Sequence, residues 1–114
     1  MELADFVRAI LGEAHLEARQ WVLDAADLDW AHVPRPDLDG DALALAAGLA
    51  ELMAERRRVN APAWTSEVGA ASAPMFLAPS ARTMPRTRRL CETEGPLPLR
   101  RRRIYALPHC FTFA

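Results

Sequence analysis

The sequence holds no lysine; all fourteen of its cationic side chains are arginine. Together with the heavy use of Ala, Arg, Pro and Leu, this marks a GC-rich coding sequence. Arginine is therefore partly a default here, not at every position a choice of the planar fork over the flexible ammonium. Cysteine is scarce. Cys91 and Cys110 are too few for a disulfide framework, and a reduced, cytoplasmic setting is expected. Long apolar runs are missing as well. The longest uncharged stretch, Val68 to Ala81, has fourteen residues and is interrupted by Pro74 and Pro79. A helix needs about 20 apolar residues to cross a bilayer, so no membrane association is expected. The chain opens on Glu2 and Asp5 where a secretory leader has basic residues, and no leader is expected.

Large side chains are few. Of 114 residues 22 are alanine, which favours helix and buries little area. The expected core rests on Phe6, Ile10, Trp21, Trp30, Leu45, Leu49, Leu52, Trp64, Phe76, Ile104, Tyr105, Phe111 and Phe113. A core that thin implies a modestly stable monomer or one completed by a partner, and the oligomeric state stays open.

The net charge of −1 conceals an asymmetry. Residues 1–55 carry twelve acids against three arginines, and residues 56–114 carry eleven arginines against three acids. Separated charge of this size creates local fields that the net value does not show. The two halves can attract each other within one chain or between copies.

One small domain over 1–114 is expected: an acidic helical pair (1–59), an Ala/Pro/Ser connector (60–81) and an arginine-rich region (82–114). Leu3, Phe6, Val7, Ile10, Ala14, Ala18, Trp21, Ala25 and Leu28 recur at steps of three and four, which predicts a helix over 2–28. Gly12 and the neighbourhood of Asp24 are the places where it would break or bend. A second helix is predicted over 41–59, with Asp39 or Asp41 as cap and Arg56 to Arg58 at the negative end of its dipole. The connector is irregular, anchored by Trp64 and by Met75–Phe76–Leu77. A short third helix is predicted over 85–93, capped by Thr83 and stopped by Gly95. "GPLPL" reads as extended, because a residue before proline avoids the helical region, and a strand is expected within 102–107. The fold class is mainly α: two antiparallel helices, a short third helix and an extended C-terminal arm. No internal repeat is visible.

Motifs for chemistry fail on their spacing. In "DLDGD" (Asp37 to Asp41), placing Gly40 at the turn of a calcium loop puts the first ligand on Arg35 and the twelfth on Ala46. "HLE" at His15 to Glu17 matches half of a zinc-deaminase signature, and the Pro-Cys-x-x-Cys half is absent. Cys91, His109 and Cys110 lack the paired spacing of a zinc site. No nucleophile elbow, phosphate loop or His-Glu-x-x-His occurs. No enzyme activity and no cofactor are expected.

Arginine remains as the strongest signal. Arg82, Arg86, Arg88, Arg89 and Arg100 to Arg103 set eight charges within 22 residues. Were each of the last four to neutralise one phosphate, log affinity would fall with log salt at a slope of about −3 to −4. The aromatic tail suits burial better than base stacking, however, and the acidic half repels a phosphate backbone. A protein partner accounts for more. Arginines flanking an extended apolar strand can grip an acidic rim or add to a sheet edge. The partner-binding residues expected on this basis are Arg100, Arg101, Arg102, Arg103 and Tyr105, with Trp64 as an anchor. Equally, the tail can complete the protein's own core.

"APAWT" (Ala61 to Thr65), "PMFLAP" (Pro74 to Pro79) and "PLRRRRIYA" (Pro98 to Ala106) cover about a third of the chain. In these stretches the chain resembles small helical proteins of high-GC bacteria encoded beside nucleotidyltransferase-like proteins. The resemblance implies an antitoxin-like interaction protein that neutralises a larger partner. The alternative expectation is an arginine-rich nucleic-acid binder. Some relatives carry an N-terminal helix-turn-helix, for which this chain has no room before residue 60.

Overall fold

The structure is a computed structural model, and it describes residues 3–12, 15–24 and 28–110. Glu2, Ala14, Ala25, Phe111 and Phe113 lie outside the described residues, as do the side chains of His15 and Ala18.

Phe6 and Trp21 stack face to face, with centroids 4.4 Å apart and planes 7° from parallel. One continuous helix would hold residues that far apart in sequence about 22 Å from each other. The helix expected over 2–28 is accordingly two, α1 (Leu3–Leu11) and α2 (His15–Asp24), which pack on each other. Gly12 follows α1 directly, where a helix is cheapest to interrupt. Turning back lets the two rings bury each other, and Trp30 adds an edge-on contact at 5.7 Å. Stacked aromatics outweigh the few helical hydrogen bonds lost at the break.

Helix α3 (Gly40–Arg56) is the centre of the fold. Every residue from Leu43 to Ala50 is buried, so it is covered all round and not along one stripe. Small side chains permit this. A Cβ on Gly48 would come within 2.7 Å of the Leu99 Cδ2 atom, so the C-terminal segment rests directly on the helix backbone. Asp39 takes the N-cap position but forms no side-chain cap. Asp41 reaches the connector instead, accepting from the Ser72 N–H at 2.8 Å and its hydroxyl at 3.0 Å. The helix ends three residues before the expected Val59, because Arg58 turns left-handed (φ 56°). Arg58 N–H then bonds Glu55 O and Val59 N–H bonds Ala54 O, which closes the last turn.

The connector is more ordered than its composition implied. It holds a 3₁₀ turn (Ala63–Glu67), strand β1 (Met75–Phe76) and a second 3₁₀ turn (Pro79–Arg82). Strand β1 pairs in parallel with β2 (Ile104–Tyr105), Met75 opposite Ile104 and Phe76 opposite Tyr105. Parallel pairing needs a crossover, supplied here by α4 (Pro85–Glu94) and α5 (Leu97–Arg100). Met84, not Thr83, occupies the N-cap of α4, and Gly95 ends it by donating to Cys91 O at 3.2 Å. The "GPLPL" stretch expected to be extended contains α5 instead. Proline is tolerated in a first helical turn, where its missing N–H has no helical acceptor to lose. This turn delivers Leu99 and then Ile104 into the core beside Leu45 and Leu49. The described part of the expected arm, through Cys110, is thus integral to a mainly helical fold.

Candidate docking surface

The four consecutive arginines have four different environments. Arg102 is buried, at 6% exposure, and holds three segments at once. Its Nη1 pairs with the Glu51 carboxylate of α3, and its Nη2 donates to Thr65 O at 2.7 Å and Val68 O at 3.3 Å in the connector. Its backbone carbonyl accepts from Ala71 N–H at 2.8 Å. The buried Nε has no partner among the described protein groups. Arg101 faces solvent and touches the same Glu51 Oε1 at 3.1 Å. Arg100 is half-buried, its Nε donating to Gly95 O at 2.6 Å. Arg103 is exposed and left-handed (φ 64°), donating to Ser72 O at 3.3 Å.

Trp64 is half-buried and donates from Nε1 to Val33 O at 2.8 Å, tying the connector to the loop before α3. Tyr105 stacks on Phe76 at 5.1 Å. The Arg88 guanidinium lies 4.8 Å above the Phe76 ring and 3.4 Å from Glu92. Of the six residues singled out from sequence, the structure brings Arg101 and Arg102 together at Glu51. It sets Tyr105 and Trp64 against groups of the same chain.

What faces outward near the arginine run is an apolar ridge between two open hollows. Leu97, 57% exposed, stands between them. One hollow, of about 380 Å³, lies between the α3 residues Glu51, Ala54 and Glu55, then Val59, and Pro98 and Arg101 across from them. The other, of about 450 Å³, is bounded by Leu52, Glu55, Arg56, Arg58, Pro96 and Pro108. Val59 is 44% exposed beside the ridge. Of these residues arginine is the type enriched at binding hot spots, while leucine and valine supply apolar area. Of the two acids on this border Glu51 is paired with Arg101 and Arg102, whereas no ion pair to Glu55 is seen among the described residues.

Arg58 carries a further sign. The left-handed position after a helix favours glycine, and an ordinary side chain there costs roughly 1 kcal/mol. Arg58 takes that conformation where it closes the last turn of α3. From the sequence Arg58 is marked only as a partner of the helix dipole and Val59 only as a helix end, and Leu97 is not marked at all. The available signal was "PLPL" beside an arginine run: an apolar residue between prolines on a segment too short to bury both its leucines.

Other candidate chemistry does not converge. Among the described residues no group of three or more His, Cys, Asp or Glu could hold a metal ion. His32 pairs with Asp29 at 2.7 Å on an exposed turn. Burial raises the Cys91 thiol pKa, with Glu92 adding to the effect. Burial also raises Cys110, to about 11, partly offset by the adjacent Arg56 guanidinium. Neither thiol is activated as a nucleophile. No helix among the described residues is long and apolar enough to cross a membrane.

No protein-family model, curated protein or solved structure matches the chain. The reading of its function therefore rests on this surface.

Proposed function

We propose that the protein is a non-catalytic interaction protein that receives a protein partner across the Leu97 ridge. The partner presents apolar side chains to the two hollows and carboxylates to Arg58 and Arg101. The antitoxin-like role, neutralising a larger protein in a reduced cytoplasm, is the form of this activity that the resemblance favours. The observation that carries the reading is the exposed Leu97 between two open hollows, one mainly apolar and both bordered by arginines, of which Arg58 is left-handed.

A second reading, nucleic-acid binding, has one specific support. Arg86 and Arg89 are exposed on α4, the helix whose Arg88 lies over the Phe76 ring of the Phe76–Tyr105 stack. The stack is half-buried, however, and Arg88 covers it while paired with Glu92. Bases stack on open ring faces, so this platform is less suited to single strands than the hollows are to a protein.

Capture from native extract with tagged protein separates the two. A stoichiometric protein should be retained by wild type and by Arg86→Glu/Arg89→Glu, and lost with Leu97→Glu. Co-expression of that protein should then impair growth unless this chain is present. Nuclease-sensitive material lost with the α4 variant and kept with Leu97→Glu would replace this reading by the second.

A further inference from the structure

The hollow of about 380 Å³ holds one surplus charge of each sign. Arg101 and Arg102 share a single carboxylate oxygen, Glu51 Oε1, so two guanidiniums stand against one acid. Arg102 is buried and bound to Thr65 O and Val68 O, which leaves Arg101 as the member that lines the hollow. Glu55 lines the same hollow one helical turn beyond Glu51, and no ion pair to it is seen among the described residues.

Residues four apart on a helix have Cβ atoms about 5–6 Å from each other. Glu55 therefore stands near the Arg101 guanidinium, which lies 3.1 Å from Glu51, without pairing with it. Around the two charges the walls are apolar: Ala54, Val59, Ala61, Leu97 and Pro98. Asn60 adds a side-chain amide that can donate and accept. A concave, mostly apolar space with a few polar groups is the usual make-up of a small-molecule site, and about 380 Å³ falls within the usual range of size.

A simple anion is drawn by Arg101 and repelled by Glu55, and a simple cation meets the reverse. A molecule whose two opposite charges share one carbon answers both groups at once, and an apolar side chain on that carbon has walls to cover. We propose that this hollow binds a free apolar α-amino acid. Its carboxylate sits on Arg101, its ammonium on Glu55, and its side chain against Ala54, Val59 and Leu97. Arg101 keeps donors for this, since a guanidinium has five N–H groups and the contact with Glu51 is made through Nη2. Glu51, itself fixed by Arg102, is the positioning residue that holds Arg101 at the hollow. This binding goes beyond the docking of a protein and does not depend on it. A partner seated across the ridge covers the same ground, so the two exclude each other.

The test is a titration of the protein with L-leucine, followed by the NMR signals of its backbone and side-chain amides. A ligand this small in an open hollow implies a Kd of about 1 mM. Saturable shifts are expected at the amides of Ala54, Val59, Asn60 and Ala61. Glycine, with no side chain to bury, should bind at least about tenfold more weakly. So should leucinamide, which lacks the carboxylate, and N-acetylleucine, which lacks the ammonium, because each leaves one charge of the hollow without its counterpart. Glu55→Gln and Arg101→Gln, both at exposed positions and checked as folded by their amide spectra, should each weaken leucine by about tenfold. Glu55→Gln should also erase the preference for leucine over N-acetylleucine, and Arg101→Gln the preference for leucine over leucinamide.

No saturable shift up to about 20 mM leucine, or shifts confined to residues outside the hollow, would overturn the inference. Equal binding of leucinamide would replace the free amino acid by the amino terminus of a protein, and equal binding of N-acetylleucine by a carboxyl terminus. Preferences unchanged in both variants would also overturn it. A hollow that takes no leucine leaves capture of a protein through Leu97 as it stands, so the two readings fail separately.

Discussion

Arg102 and Glu51, fifty-one residues apart, form the ion pair that joins the C-terminal segment to the central helix. The guanidinium also bonds two connector carbonyls, so one side chain fixes the mutual placement of α3, the 3₁₀ turn and β2. A buried pair of this kind matters most when it is broken, since removing one partner leaves an uncompensated charge at a loss of about 3–5 kcal/mol. Glu51→Gln should therefore destabilise strongly in urea, and Arg102→Met should do so by a similar amount. The double variant should lose clearly less than the sum of the two, because the singles share one interaction. Additive losses would mean that the pair is not a unit.

Arg58 should trade stability against binding. Arg58→Gly relieves the left-handed strain and is expected to stabilise the fold by about 1 kcal/mol. The same change removes a cation from the border of the hollow and should weaken capture of the partner. A variant that is more stable and binds as well as wild type would remove Arg58 from the docking surface.

Gly95 is required by space. A Cβ there would lie 2.6 Å from both Ala106 O and Cys91 O, which are backbone atoms that cannot move aside independently. Gly95→Ala should cost about 2 kcal/mol or more, in the manner of overpacking. Gly69, with nothing within 4 Å of a Cβ, is the control, and Gly69→Ala should be close to neutral. Thermal unfolding of the two variants checks the contrast.

Much of this architecture was legible in the sequence, and the exceptions share a cause. The Leu45/Leu49/Leu52 spacing and the basic C-terminus gave α3 away, as did the proline start and glycine stop of α4. The reversal after Gly12 was open from sequence because helical periodicity runs on through Trp21. What decides it is a ring-on-ring contact between Phe6 and Trp21 that only tertiary packing creates. The α5 turn was hidden by a local rule about residues before proline, overridden when burial of Leu99 and contact with Gly48 reward a helical turn. The arginine run was visible as a run. Its division was not, because Glu51 is far away in sequence and nothing local distinguishes Arg102 from its neighbours.

Cys110 gives the fold a pH dependence of definite sign. The folded thiol ionises near 11, above the ordinary 9.0, because burial disfavours the thiolate. The folded state thus favours the protonated thiol. That contribution is complete below pH 9 and is lost as pH rises through 11. Relative to Cys110→Ala, wild type should lose stability between pH 9 and 11, and its thiol should alkylate slowly at pH 9 until urea unfolds the chain. Equal pH profiles for the two proteins would show that Cys110 is not shielded as described.

The division of the arginine run can be measured directly by urea unfolding of Arg100→Gln, Arg101→Gln, Arg102→Gln and Arg103→Gln in parallel. Arg102→Gln should stand apart with a loss of about 3 kcal/mol or more. Arg101→Gln and Arg103→Gln should stay within about 1 kcal/mol of wild type, as exposed side chains do, with Arg100→Gln between them and Arg102→Gln. Four small and similar losses would contradict the account, returning the run to a single solvent-facing patch with no structural arginine in it.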